Sequence, residues 1–284
     1  MDRSSRVEIL DSAGGLDTLD IELPAAPHAD RSRRLLLLWA RELATNRYYR
    51  TRLGMTWLIV EPVVSALVFW FAFQVLLDRD SAVEGAPFIL SFLVASVPYN
   101  YFQQTVHRGS TAIAGNLGLL SYFVFRRELL VYAIALSGLV ELAVGIGIVV
   151  AAFVIGSQGV AATAPLALLV LIPLILLTLG MALGFAALSA WTGNSRDVPI
   201  LLGIGLRGLF FMSAVIFPIE AIPEKWQFAY LLNPLAAMNT SIRDLVFVGH
   251  IRFGGHLLFA LALSAIAFAS GLFIFRLRSP MFGD

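Results

Sequence analysis

The sequence predicts an all-α integral membrane protein with six transmembrane helices. Of its 284 residues, 58% are hydrophobic and only 14% are charged, whereas an ordinary soluble domain carries about a quarter charged residues. The mean hydropathy is +0.82. The apolar residues form continuous runs of about 20, the length that crosses a bilayer core as a helix, without the alternation of membrane β-barrel strands.

The N-terminal region divides into two predicted segments. Residues 1–30 contain seven acidic residues among glycines, prolines and serines, a composition typical of a flexible cytoplasmic tail. Residues 31–55 predict an amphipathic helix that lies along the inner leaflet, with Arg34 and Arg41 on its polar side. Its apolar stripe has helical spacing and consists of Leu36, Trp39, Ala40 and Leu43.

The transmembrane domain is predicted to occupy residues 56–278. Its six spans are residues 56–77, 88–106, 129–155, 166–191, 198–217 and 257–275. Within the fourth span, Gly180 and Gly184 are separated by three residues, a spacing that favours close helix packing.

The arginine distribution predicts that both termini are cytoplasmic. With a cytoplasmic N-terminus, fifteen basic residues fall on the cytoplasmic side and four on the outer side. Short cytoplasmic loops carry an excess of Lys and Arg. The bias therefore fixes the orientation of all six spans.

The outer connection, residues 218–256, is long and largely apolar. Its two apolar segments are too short to span and are separated by Asn233 and Pro234, while Pro218 and Pro223 interrupt helix at its start. We expect a helical hairpin that enters the outer leaflet and returns. A surface cap of two interfacial helices is the alternative interpretation.

Several chemistries are excluded. There is no cysteine, and the single lysine, Lys225, follows Glu224, so the phosphate-binding loop G-x-x-x-x-G-K-[ST] does not occur. The sequence G-x-G-x-x-G at residues 203–208 lies inside an apolar span without the strand that a dinucleotide site needs. The four histidines lack metal-ligand spacing, and a net charge of +1 gives no attraction for nucleic acid. No catalytic residue, metal or cofactor is predicted.

Two ionisable residues lie near the middle of spans. A charge at that depth costs at least about 2.5–3.5 kcal/mol, so Arg207 and Glu141 each require an explanation. They could pair with each other or with polar groups and hold helices together. Alternatively, Arg207 lies on a transport path and meets an anionic group such as phosphate. Glu61, beside Pro62, is interpreted as a hinge-like helix start.

Three motifs in the same order as the spans carry a family resemblance. The first surrounds the start of span one, the second is the first cytoplasmic loop, and the third is the outer connection. They resemble the polysaccharide and polyol-phosphate export permeases, which are the membrane subunits of type-2 ABC exporters for O-antigen, capsule or teichoic acid. The matching positions include Arg41-Glu42-Leu43, Arg47-Tyr48, Leu53-Gly54, Trp57, Glu61-Pro62, Asn116-Leu117, Arg127-Glu128, Pro218, Pro223, Trp226, Asn233-Pro234 and Arg243.

The resemblance implies a homodimer bound to two copies of a separate ATPase subunit, which would hold ATP and magnesium. This chain itself would then be a transport subunit and not an enzyme. Alternatively, its cytoplasmic arginines serve only as membrane anchors. A short coupling helix is expected within residues 114–125. The residues expected to couple to the ATPase are Arg41, Glu42, Arg47, Asn116, Arg126, Arg127 and Glu128.

The resemblance also implies a path for a glycan between the two subunits. Aromatic faces can stack on sugars, although an aromatic belt at the membrane interface explains the same rings. Residues assigned to the path are Arg207, Glu141, Trp70, Phe73, Tyr99 and Tyr101.

The predicted function is the outward movement of a lipid-linked polysaccharide across the bacterial cytoplasmic membrane. An exporter of drugs or lipids with the same fold is the alternative within the family. A membrane-embedded glycosyltransferase is disfavoured because Glu128, Asp197 and Asp284 are the only cytoplasmic acids after the first span begins.

Overall fold

The computed structural model describes residues 6–10, 16–20, 28–49, 52–76, 86–113, 115, 126–193 and 196–278. The chain divides into two compact units, Met1–Leu35 and Leu36–Asp284.

The first unit contains a two-stranded antiparallel hairpin. Strand β1 is Arg6–Leu10 and strand β2 is Leu16–Asp20, with Arg6 opposite Asp20 and Leu10 opposite Leu16. The all-α prediction holds for the rest of the described chain but did not include this hairpin, because composition alone hides the alternation of apolar and polar residues in β1. Flexibility of residues 1–30 stays a prediction.

Helix α1, His28–Tyr49, begins three residues before the predicted start. Its predicted apolar stripe packs inward: Trp39 and Leu43 contact a core group that includes Leu130 and Phe275, while Arg41 and Glu42 are exposed. The placement of α1 along a membrane surface stays a prediction.

The remaining helices form one bundle. Gly54, whose φ of +51° favours glycine, begins a short 3₁₀ turn before the first of them. They are α2 Trp57–Trp70, α3 Phe88–Ser110, α4 Glu128–Ile155, α5 Ala167–Trp191, α6 Asp197–Met212, α7 Glu224–Leu231, α8 Pro234–Arg243 and α9 Gly254–Arg278.

Among the described residues, four helical segments are long and apolar enough to cross a membrane. They are Gly54–Leu76, which includes a π-helical end, Glu128–Ile155, Ala164–Trp191 and Gly254–Leu277. The other two predicted spans correspond to α3, which is rich in polar residues, and α6. With 16 residues, α6 is about 24 Å long, short of the roughly 30 Å hydrocarbon core.

Helix α3 is the centre of the bundle, with most of its residues buried. Two glycines let α4 approach it closely. A Cβ at Gly138 would lie 2.7 Å from the Thr105 hydroxyl oxygen, and one at Gly145 would lie 2.6 Å from a Val97 methyl carbon. Both spacings are too short for a real side chain, so glycine is required on this face. Gly180 of α5 packs in the same way against Ala267 of α9, as predicted, whereas a Cβ at Gly184 would meet no atom within 4 Å, so Gly184 is not part of this packing face.

The outer connection contains two unlike short helices. Helix α7 is largely exposed, whereas every residue of α8 after Pro234 is buried in the bundle. Pro218 and Pro223 precede a 3₁₀ turn and α7 respectively, as the helix-breaking pattern predicts. The predicted entry of this hairpin into the outer leaflet stays a prediction.

Arg243, at the end of α8, joins three parts of the bundle. Its side chain is 3% exposed. It donates hydrogen bonds to the carbonyl oxygens of Ala214 at 2.5 Å and Val215 at 2.6 Å, and to that of Ser91 in α3 at 3.1 Å. Ala214 and Val215 follow the end of α6, where helix carbonyls lose their own donors. Arg243 therefore replaces the missing backbone donors.

Two asparagines, one at the start of α8 and one within it, donate to the carbonyls that precede those bound by Arg243. Asn233 is the N-cap of α8: its side-chain oxygen accepts from Leu235 N at 3.0 Å, and its amide donates to the Met212 carbonyl at 2.8 Å. Asn239 donates to the Ser213 carbonyl at 2.7 Å. Four successive carbonyls from Met212 to Val215 thus receive side-chain donors from the outer connection.

A second arginine, Arg252, joins the start of the outer connection to its last part. Arg252 contacts Asp244 at 2.5 Å and Glu220 at 2.6 Å. Partial burial alone would lower the pKa of Arg252, but its hydrogen bonds to the two carboxylates outweigh that effect and raise the pKa above its usual value. The guanidinium therefore stays charged and offsets the fully buried Asp244.

Replacing Arg243 tests this capping. Arg243→Met should destabilise the protein by about 3 kcal/mol or more, because three buried carbonyls lose their donor, and the melting temperature of the purified protein should fall accordingly. Arg243→Lys should recover part of the loss. Lys225→Met, at an exposed cation of the same connection, is the matched control. Equal melting temperatures for Arg243→Met and Lys225→Met would contradict the capping role.

Candidate functional site: polar groups within the helical bundle

An ion pair lies inside the bundle between α3 and α4. Arg108 contacts the Glu141 carboxylate at 2.8 Å and donates to the Ser137 hydroxyl at 2.6 Å. Both ionic side chains are partly buried. The pair joins the last turn of α3 to the middle of α4, so each charge offsets the cost of the other.

Of the alternatives that the sequence left open for Glu141, the structure shows pairing with Arg108 and not with Arg207. Arg108 belongs to α3, which continues to Ser110, four residues beyond the predicted end of the span. The prediction treated Arg108 as part of a cytoplasmic loop. The long side chain of an arginine can extend along its helix. A sequence pattern does not predict which residue of a neighbouring helix such a side chain contacts.

Arg207 lies on an uncovered face of α6. It is exposed and forms no hydrogen bond or ion pair within the described parts of the chain. It comes ten residues after the start of α6, about 15 Å along the helix. Two neighbouring glycines, Gly205 and Gly208, would accept a Cβ without meeting any atom within 4 Å. This face of α6 thus combines a charge with small residues and open space.

A small polar cavity lies where α2, α3 and α4 meet. Its volume is about 40 Å³. Polar and apolar residues both line it: Leu58, Glu61, Pro62, Val97, Asn100, Tyr101, Gln104, Glu141, Leu142 and Gly145. Pro62 lies inside α2 rather than at its start. The predicted hinge role of Glu61 stays a prediction.

The aromatic residues assigned to the path have different surroundings. Tyr99 is fully buried, and its hydroxyl donates to the Leu206 carbonyl of α6. Tyr101 is also buried. Phe73 packs against Phe88 and Phe217, with ring centroids 5.6 and 5.8 Å apart, and the remaining ring, that of Trp70, is exposed. Burial gives Tyr99, Tyr101 and Phe73 packing roles, and their place on a path stays a prediction.

Three of the predicted coupling residues, Arg126, Arg127 and Glu128, lie at the start of α4. Arg126 is exposed and Arg127 is half-buried. Glu128 is buried and accepts two hydrogen bonds from Arg276 of α9, at 3.0 and 3.2 Å, an internal contact that the sequence did not indicate. Asn116 and most of the predicted coupling helix lie outside the described residues, as does the side chain of Arg47.

The described residues contain no group of three or more His, Asp or Glu side chains that could hold a metal ion. Of the predicted residues in the outer connection, Trp226 is exposed, while Asn233 and Arg243 form the caps described above. The described polar groups therefore offer ion pairs, backbone caps and one cavity.

Comparisons with known proteins identify the family. Residues 33–247 match the ABC-2 type transporter family. The polysialic acid transport protein KpsM of Escherichia coli is 27% identical over 243 residues, which cover 85% of this chain and 92% of that protein. The O-antigen export system permease protein RfbA of Klebsiella pneumoniae is 24% identical over 73% of this chain and 78% of its own length. RfbA of Myxococcus xanthus is 24% identical over 88% of this chain and 94% of its own.

The family match extends from within α1 into the outer connection and thus includes the Arg108–Glu141 pair, the polar cavity and the Arg243 caps. It confirms the resemblance carried by the three sequence motifs. The chain belongs to the ABC-2 type transporter family.

Proposed function

We propose that this chain is the membrane subunit of an ATP-driven exporter that moves a lipid-linked polysaccharide outward across the bacterial cytoplasmic membrane. The observation that carries the proposal is the similarity to polysialic acid and O-antigen export proteins over 73–88% of the chain. The three motifs are distributed along the same region.

The proposed topology has six spans and cytoplasmic termini. Four segments meet the length and hydropathy of a span. Helices α3 and α6 would complete the set, since each is enclosed or bordered by the other helices and does not need an apolar surface all round. The 15-to-4 distribution of basic residues supports cytoplasmic termini. The outer connection would then lie at the outer leaflet.

The surface around Arg207 supports a homodimer. The exposed faces of α4, α5 and α9 are almost entirely apolar, as lipid contact requires, whereas the exposed face of α6 carries Arg207 at mid-span. A charge there is expected to face protein or a water-filled cavity. A second copy packed on α6 across a two-fold axis would cover Gly205 and Gly208 and turn Arg207 toward a shared path.

The cytoplasmic end supports coupling to a separate ATPase, which would hold ATP and magnesium. Arg41, Glu42 and Arg126 are exposed there, and the sequence contains no phosphate-binding loop of its own. Two copies of this chain would bind two ATPase subunits. Arg276 already holds Glu128, so the exposed arginines are the better candidates for contacts with acidic ATPase residues.

Depletion of the chain tests the exported substrate. Cells depleted of it should lose surface polysaccharide and accumulate lipid-linked polysaccharide inside, because no other route carries a sugar chain through hydrocarbon. Both pools can be measured by extraction and mass spectrometry, with re-expression of the wild-type chain as control. Unchanged surface polysaccharide together with altered drug sensitivity would favour the alternative of a drug exporter.

The absence of cysteine allows a direct test of the dimer. Ile204→Cys, at a position 63% exposed on α6, should give a cross-linked dimer with a short bismaleimide in native membranes, because the two-fold axis brings the copies together. Leu169→Cys, 59% exposed on α5, is the matched control and should remain monomeric. Cross-linking at Leu169 instead of Ile204 would place the interface elsewhere.

Charge reversal tests the coupling surface. With Arg126→Glu and Arg127→Glu combined, retention of the ATPase subunit in a pull-down should fall about tenfold or more, because attraction to acidic residues becomes repulsion. The amount of inserted permease should stay the same. Arg196→Glu, at an exposed arginine on the same predicted side, is the control. Full retention by the double variant would leave these arginines as membrane anchors only.

A further inference from the structure

Three polar side chains of α3 and α6 have no partner among the residues that the structure describes. They are Gln103 and His107 of α3 and Arg207 of α6. His107 and Arg207 are exposed, and Gln103 is half-buried. Arg108, the next residue of α3, is by contrast bound to Glu141. Polar groups within a membrane-spanning bundle that have no protein partner typically mark the pathway of a substrate or ion.

Contacts between α3 and α6 fix how the two helices are aligned. A Cβ at Gly203 of α6 would lie 3.7 Å from Cε1 of the His107 ring. Farther along, the Tyr99 hydroxyl donates to the Leu206 carbonyl, and the ring centroids of Tyr99 and Phe210 are 5.3 Å apart. Residue numbers therefore fall along α3 as they rise along α6, and the two helices are antiparallel.

This alignment brings Gln103 level with Arg207. Gln103 lies four residues before His107, and Arg207 lies four residues after Gly203, so both are about 6 Å along the helix axis from the contact between His107 and Gly203. Residues four apart share a helix face. Long helical side chains lean toward the N-terminal end of their helix, which from Arg207 is the direction of Gly203 and His107. The three polar side chains therefore border one site.

The glycine leaves this site open. A Cβ at Gly203 would meet no atom within 4 Å other than those of the His107 ring, so no packed neighbour closes the space beside it. His107 and Arg207 are both exposed. A ligand can therefore reach these side chains from the surface of the chain.

The three side chains form a donor set that fits a phosphate group. A guanidinium can donate two parallel hydrogen bonds to phosphate, and an imidazole and a primary amide each donate as well. The tetrahedral oxygens of phosphate can accept from two helices at once. No carboxylate of these helices opposes an anion, because α3 contains no acidic residue and Asp197, the one acid of α6, lies about 15 Å from Arg207 along the axis.

The surface beside Arg207 is apolar. Ile200 and Phe211, seven residues before and four residues after Arg207, lie on the same side of α6 and are 59% and 52% exposed. A phosphate that carries an apolar chain would cover this surface, whereas an inorganic phosphate or a charged sugar would leave it bare. The site therefore fits the phosphate ester of a lipid.

We propose that Gln103, His107 and Arg207 bind the phosphate group of a membrane lipid. That lipid is either the carrier of the exported glycan, an identification that rests on the proposed function, or a bulk anionic phospholipid, which does not depend on it.

Binding of a lipid phosphate to the purified transporter tests the site. The probe is a fluorescent phosphatidate, and the comparison is the diacylglycerol with the same chains, which lacks only the phosphate. The wild type should bind phosphatidate at least about tenfold more tightly than diacylglycerol. Arg207→Met should remove most of that difference, because hydrogen bonds to a charged group are lost. Gln103→Leu and His107→Phe should each weaken phosphatidate binding several-fold.

Arg196→Met, at an exposed arginine just before α6, is the matched control and should bind phosphatidate like the wild type. Unchanged melting temperatures show that the variants are folded, and if Arg207→Met melts lower, Gln103→Leu and His107→Phe carry the test. Wild-type binding of phosphatidate by all three variants would overturn the proposal. An equal loss for Arg196→Met would also overturn it, because only a general attraction to anions would remain.

Export in cells separates the two sources of the phosphate. Surface polysaccharide per inserted transporter is measured in cells that depend on Arg207→Met or on Arg196→Met. A fall of several-fold confined to Arg207→Met identifies the carrier of the glycan, and unchanged export together with lost phosphatidate binding identifies a bulk phospholipid. If the chain exported something other than glycan, depletion of the wild type would leave surface polysaccharide intact, while phosphatidate binding would still report on the site.

Discussion

The architecture depends on one requirement: a broken helix inside a largely apolar bundle must find donors for its carbonyls. The chain after α6 leaves helical geometry at Ser213 and Ala214, where Ala214 has a φ of +52°. Water cannot serve carbonyls that are shut inside the bundle, so the outer connection supplies the amide of Asn239 and the guanidinium of Arg243. The burial of α8 follows from this requirement, because only a buried helix can present these side chains. Arg243 also bonds to Ser91, which ties the broken end to α3.

The buried and half-buried carboxylates are likewise paired with a partner from another part of the chain. Glu141 is held by Arg108, Glu128 by Arg276 and Asp244 by Arg252. Each pair joins two different segments, so charges that would be costly alone become fixed points between helices. Arg207 differs in kind, because it lies on an uncovered face. That contrast within one chain supports assigning Arg207 to an interface and the paired charges to the fold of the single subunit.

The sequence predicted those features that depend on composition and local spacing. The apolar runs placed the four segments that are long and apolar enough to cross a membrane. The stripe from Leu36 to Leu43 placed the packed side of α1, and the prolines marked the interruptions of the outer connection. Features that depend on the length of side chains and on contacts between residues far apart in the sequence were not predicted correctly. The partner of Glu141 is Arg108, 33 positions away, and that of Glu128 is Arg276, 148 positions away. The cavity was equally hidden, because Tyr101, Pro62 and Glu141 converge only through the packing of three helices.

The caps at the outer end of α6 have a mechanical consequence. Side chains from α8 hold the residues that follow Met212, and Tyr99 holds Leu206 from α3, so both attachments lie in the second half of the helix. Helix α6 is therefore held near the end that joins the outer connection, and a tilt of the helix would have its fulcrum there. A tilt of 10° about that fulcrum would displace the opposite end by about 4 Å, given a length of about 24 Å, while the outer end stays in place.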